Sequence, residues 1–189
     1  MAHCRDVWSA RLRLKIKICT WQLALDRLST CDQLAKRLAQ RDGLCSLCGQ
    51  VEDATHILFS CVLAKLGWIV VRQLLGCCWC PANFPQFFAI LHSLLGQQRR
   101  TSWVLFPALC WALWTTHNKL TIESRAAKHP DDVVYKMLMF LQAWTKLAKH
   151  QYRERLWSLA DGLKTIYTTL VSSRVGVVVS LSSVVAIPV

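Results

Sequence analysis

A chain of 189 residues that is 53% hydrophobic and carries nine tryptophans has core material for one domain, or for a small module plus a helical one, which excludes an unfolded polar polymer. Its formal net charge of +12, from 23 Lys and Arg against 11 Asp and Glu, favours polyanionic partners, nucleic acid first among them, over acidic-surface functions. The ten cysteines would form a disulfide framework only in a secreted chain, and the opening Met-Ala-His-Cys-Arg-Asp-Val-Trp has no apolar signal stretch, so reduced thiols or metal ligands are expected in an intracellular, reducing compartment, the nucleus included.

In chain order, Arg11 to Ile18 alternates cation and apolar residue, a strand pattern that would line four cations on one face. Ile18, Trp21, Leu25 and Leu28 instead follow helical spacing, which supports a helix from about Lys15. Thr30 and Gln33 make a capping box for a second helix, with Leu34 and Leu38 inward and Lys36, Arg37 and Arg41 outward.

Cys45, Cys48, His56 and Cys61 follow: Cys-x2-Cys, seven residues, His, four residues, Cys. Thiolates and imidazole are preferred Zn²⁺ ligands, and four of them complete a tetrahedral shell with no open position for water. One structural zinc ion is therefore the expected cofactor. The competing reading makes these thiols small buried apolar groups. Glu52 and Asp53 resemble the carboxylates of a helix N-terminus, which would place His56 on a short helix. Five residues of α-helix rotate about 500°, so Cys61 is expected at or beyond that helix's end, off the face of His56. Ile57, Leu58 and Phe59 read as core.

Beyond Trp68, Gly76 to Pro81 breaks one helix and Asn83-Phe84-Pro85 opens the next. Cys77, Cys78 and Cys80 lack a spaced partner pair and read as buried thiols. Gln97 to Thr101 reads as a polar break before the apolar run Trp103 to Trp114, which is too short to span a bilayer at about twenty residues, so no membrane partner is expected. Trp111 and Trp114 could stack on unpaired bases, with core packing the commoner role. His129-Pro130-Asp131-Asp132 starts a helix carrying Val133, Met137, Leu141, Trp144 and Leu147, and a last helix carries Leu156, Leu159, Leu163, Ile166 and Leu170. These two form an antiparallel hairpin if the chain turns near His150, and one long helix if it does not. The Val- and Ser-rich stretch 171–189 is expected to be a disordered tail.

The residues around the cysteines carry a resemblance. Trp8, Leu14 to Ile18, Trp21 to Leu28, Thr30, Leu34 and Arg37, then Cys45-Ser46-Leu47-Cys48-Gly49, Glu52, His56-Ile57-Leu58-Phe59, Cys61 and Trp68 are similar to the zinc-binding domain downstream of the reverse transcriptase in plant LINE-type, non-LTR retrotransposons. It covers about residues 5 to 70, with a weaker echo in Trp111 to Asn118; the proline that usually precedes the Lys-x-Lys run is absent. The resemblance favours helix for the Arg11 to Ile18 run. It implies a mainly α fold: a Cys-Cys-His-Cys zinc-binding helical module over 5–70, a helical extension over 71–170, and the tail.

The implied function is zinc-dependent binding of template RNA or target DNA beside a reverse transcriptase, in the same polyprotein or in trans. Arg11, Arg13, Lys15, Lys17, Lys36, Arg37 and Arg41 are the candidate phosphate contacts. Residues 1–62 hold nine basic and six acidic groups and residues 63–189 fourteen and five, so the module is only mildly basic. The chain is not expected to be an enzyme by itself. Its one Asp-Asp pair, Asp131-Asp132, lacks a polymerase's aromatic-x-Asp-Asp context, and there is no phosphate-binding Gly-rich loop, nucleophile elbow or carboxylate cluster. A zinc-stabilised protein-interaction scaffold and a degenerate retroelement remnant are the alternatives.

Overall fold

The computed structural model describes residues 7–8, 12–37, 42–123, 129–148 and 150–184; of these, 122–123, 147, 151 and 174–184 are described by backbone alone. The described chain is mainly helical, and the one β-bridge among the described residues is an isolated antiparallel bridge between Leu44 and Val51.

Helix α1 (Leu14–Ala24) resolves the ambiguity of the alternating run in favour of helix. Ile16, Cys19, Thr20 and Leu23 form its buried stripe at 3-1-3 spacing, while Arg13, Leu14 and Lys15 stay exposed. The chain then turns through Asp26 in the left-handed region, φ 53°. The Thr30 hydroxyl accepts from the Gln33 N–H at 3.4 Å and starts the short α2 (Cys31–Ala35). Leu38 and Arg41 lie outside the described residues.

After the cysteine turn and a π-helical turn (His56–Ser60), α3 (Val62–Leu75) is closed by Gly76 at φ 59°, whose neighbour Cys77 returns its N–H to the Arg72 carbonyl at 3.1 Å. The Asn83 side chain caps α4 (Phe84–Ser93) by accepting from the Gln86 N–H at 2.9 Å. The next helix, α5 (Gly96–Glu123), runs unbroken for 28 residues through Pro107. It corrects the expected break at Gln97 to Thr101, which is helical. The Thr101 and Ser102 hydroxyls donate back to the Gln97 and Gln98 carbonyls, and Arg155 reaches Gln97 and Thr101 from a later helix.

Helix α6 (Asp132–Leu147) ends at Ala148, whose extended backbone (ψ 148°) turns the chain into α7 (His150–Val184). The two pack as a hairpin. The backbone of α7 continues past residue 170 to Val184, and residues 185–189 lie outside the described residues. No helix among the described residues is long and apolar enough to cross a membrane.

The core is continuous from Ile16 to Leu163, across residue 70. Helix α5 lies at its centre and packs against α1, the π turn, α3, α4 and α6. Trp68 is its aromatic hub, with ring centroids 5.9–6.2 Å from Phe59, Trp79, Phe87 and Phe106 and its indole N–H donated to the Leu58 carbonyl at 2.8 Å. Such rings contribute burial and edge or offset-stacking attraction together. Two long-range bonds also tie the cysteine region to α5: Trp114 donates its indole N–H to the Ser29 carbonyl at 2.9 Å, and the Thr121 hydroxyl donates to the Glu52 carboxylate at 3.1 Å.

Candidate metal centre

The first two sulfurs are set by a tight turn. Beyond the Leu44–Val51 bridge, the Cys45 N–H donates to the Gln50 carbonyl at 2.8 Å, and the Cys48 and Gly49 N–H groups both return to the Cys45 carbonyl at 3.3 and 2.8 Å. Gly49 takes φ 69°, a conformation that a side chain would resist, and this lets the chain reverse directly after Cys48. Cys45 is buried and Cys48 exposed.

The other two donors come from the π turn. The Asp53 carboxylate accepts the His56 N–H at 2.6 Å and begins the turn; the Cys61 N–H closes it on the His56 carbonyl at 2.8 Å, an i→i+5 bond. An α-helix would rotate Cys61 well away from His56, whereas the wider turn brings it back towards the same side. The structure therefore corrects the expectation that the two residues miss a common face. Cys61 then adopts extended backbone (ψ 152°) and leads into α3.

The donor atoms of Cys45, Cys48, His56 and Cys61 all lie within 4.8 Å of one another. Cys48 Sγ is 3.3 Å from His56 Nε2, and His56 Nδ1 is 3.3 Å from the Ser60 hydroxyl, which fixes the ring from its far side. Two tetrahedral ligands of one zinc ion, with sulfur at ~2.3 Å and nitrogen at ~2.0 Å, stand ~3.5 Å apart. The four donors fit that shell in chemistry and in spacing. Burial pushes the Cys45 thiol up to about 12 and also raises that of Cys61, while it lowers the His56 imidazole. Burial thus favours the protonated thiols of Cys45 and Cys61, and metal binding must displace their protons.

Glu52 departs from the expected role of a carboxylate at a helix N-terminus. It is buried, bonded to Thr121 and within hydrogen-bonding reach of the Cys31 backbone and the Cys45 thiol, and burial raises its pKa. The sequence reading also missed His117. Fully buried on α5, it places Nε2 3.3 Å from Cys61 Sγ, and its donor atom lies within 4.8 Å of those of Cys45 and Glu52. The available sign was its place four residues after Leu113, on the apolar face of the Trp-rich helix.

Cys77 is half-buried and Cys78 and Cys80 are exposed, which corrects the expectation of buried thiols; the described residues place none of them in a cluster able to hold a metal. The candidate phosphate contacts are dispersed in circumstance. Arg13 and Arg37 are exposed, Lys15 lies over the Trp111 ring at 5.3 Å, Lys17 donates to the Trp8 carbonyl at 2.9 Å, and Lys36 pairs with Asp32 at 2.8 Å. Arg11 and Arg41 lie outside the described residues. Trp111 and Trp114 are partly buried against the core, with centroids 5.4 Å apart.

Fold and site together define a mainly helical protein with a Cys3His cluster that could hold one metal ion. Residues 2–68 match the model of a family described as zinc-binding in reverse transcriptase, a segment that contains all four donors and stops within α3. No curated protein and no solved structure matches the chain.

Proposed function

We propose that Cys45, Cys48, His56 and Cys61 hold one structural zinc ion, and that the chain is a non-catalytic nucleic-acid-binding module of LINE-type, plant retroelement origin. The zinc reading rests on the Cys3His donor set inside the segment matched to the zinc-binding family. A filled shell leaves no site for a reacting water, so the metal's contribution is to fix the turn and the π turn against α5. The free thiols fit a reducing compartment.

Uncompensated positive charge carries the nucleic-acid reading. Against a net charge of +12, the ion pair found among the described residues is Lys36 with Asp32. Cations without carboxylate partners remain available to phosphates, and such binding weakens steeply with salt through counterion release. Template RNA or target DNA beside a reverse transcriptase, in the same polyprotein or in trans, is the implied ligand. A zinc-stabilised protein-docking scaffold is the second reading, favoured by Trp157, which stands 64% exposed on α7.

Gel-shift titrations with single-stranded RNA and duplex DNA, at about 50 and 200 mM salt, test the main reading. Affinity is expected to fall at least tenfold across that range, by about one order of magnitude or more. Arg13→Glu with Arg37→Glu is expected to reduce the salt slope. Binding that ignores both salt and charge reversal, or no binding at all, overturns it.

A further inference from the structure

His117 lies on α5, outside the matched segment, and has no exposed surface. Its Nδ1 is 2.9 Å from the Leu113 carbonyl oxygen, which can only accept, so Nδ1 carries the proton. In the neutral ring Nε2 then carries the lone pair, facing Cys61 Sγ at 3.3 Å, where it accepts from the thiol and is open to a metal once that proton is lost. That is also the separation between Cys48 Sγ and His56 Nε2, and it falls near the ~3.5 Å expected between two ligands of one tetrahedral zinc. Cys45 is shared as well, since its donor atom lies within 4.8 Å of that of His117.

We propose that His117 is a fifth donor of this metal site, taking the fourth coordination position when Cys48 is withdrawn. The inference rests on the zinc reading above. Cys48 is the exposed member of the set, whereas Cys45, His56 and Cys61 are buried, so Cys48 is the ligand that solvent and thiol reagents reach first. Without it three donors remain, and His117 supplies the missing one from the buried side. The exchange turns three thiolates and one imidazole around Zn²⁺, a net negative centre, into two thiolates and two neutral imidazoles, a neutral one. A neutral centre is the cheaper of the two to keep out of water. It also joins the matched segment directly to the helix that organises the core.

The test uses the full chain, titrated with Co²⁺ and Zn²⁺ against a competing chelator, with helicity followed in parallel. The parent is expected to take one metal with a three-sulfur cobalt spectrum, and Cys45→Ser to lose it. Cys48→Ala is expected to keep one metal, weakened by about 10- to 100-fold, with sulfur-to-cobalt absorption reduced by about a third. Cys48→Ala/His117→Gln is expected to lose it, while His117→Gln alone keeps the parent's spectrum and helicity. Equal metal affinity in Cys48→Ala and the double variant, or metal loss from Cys48→Ala as complete as from Cys45→Ser, overturns the role of His117 and leaves the zinc reading standing. A well-folded parent that binds no metal overturns both.

Discussion

Gly67 on α3 meets Leu109 on α5 so closely that a Cβ added at Gly67 would collide with Leu109 Cδ1. Leu109 is itself buried in the core, so its side chain has little room to retreat. The absence of a side chain at Gly67 sets the approach of the helix that follows Cys61 to the helix that carries His117. Gly67→Ala should therefore destabilise the protein by about 1–3 kcal/mol, the range for overpacking a filled core. Urea unfolding measures this, and an unchanged midpoint would show that α3 and α5 are less tightly apposed.

Metal removal should be felt in the core as well as at the surface. Ile57, Leu58 and Phe59 are buried between His56 and Cys61, and Phe59 stacks on Trp68 at 5.9 Å. At free zinc a thousandfold above Kd, binding stabilises a fold by about 4 kcal/mol. For a chain of this size that is about 8–16 °C in Tm. Adding chelator should lower Tm by that amount and shift tryptophan emission as Trp68 loosens. A Tm indifferent to chelator would show that the π turn is held by packing alone.

Thiol labelling should divide the cysteines by exposure. Cys78 and Cys80 are exposed and should react quickly in the zinc-loaded protein, with Cys48 joining them once zinc is chelated. Cys19, Cys31 and Cys110 are buried, and burial pushes the Cys19 thiol up to about 12, so these should wait for unfolding. Mass mapping of labelled peptides checks the order; prompt labelling of Cys110 would contradict the described core.

The cluster of four candidate donors was legible because Cys45 to Cys61 lie close in sequence and the chemistry of thiolate and imidazole is explicit in residue type. Their common face was not legible, since α-helical rotation separates His56 from Cys61 and only the i→i+5 bond restores them. Gln97 to Thr101 misled for a related reason. Its polar residues are held in helix by hydroxyl bonds to the preceding turn and by Arg155, over fifty positions away. Glu52 and His117 acquire their roles the same way, through Thr121 and Cys61, at separations of 69 and 56 residues that no local pattern records. The hairpin of α6 and α7, which periodicity left open, begins where α6 ends in the extended backbone of Ala148.

Lys136 offers a test of packing through pH. Its ammonium is half-buried on α6 and donates to the Thr116 hydroxyl at 2.6 Å, with burial first and Lys119 second lowering its pKa from 10.5. A lysine whose folded pKa lies below its unfolded one binds fewer protons when folded, between the two values. Stability contributed by this group therefore rises with pH through that window and is lowest below it. At neutral pH the charge is a cost that Lys136→Met removes, while Thr116 keeps its own bond to the Ala112 carbonyl at 2.7 Å. The variant should melt higher than the parent at pH 7, and the difference should narrow as pH climbs through the window below 10.5 and level off above it, where the parent's lysine becomes neutral in both states. Thermal melts of the pair at matched pH values measure it. A gap that widens with pH would mean that the Thr116 bond outweighs the desolvation of the ammonium.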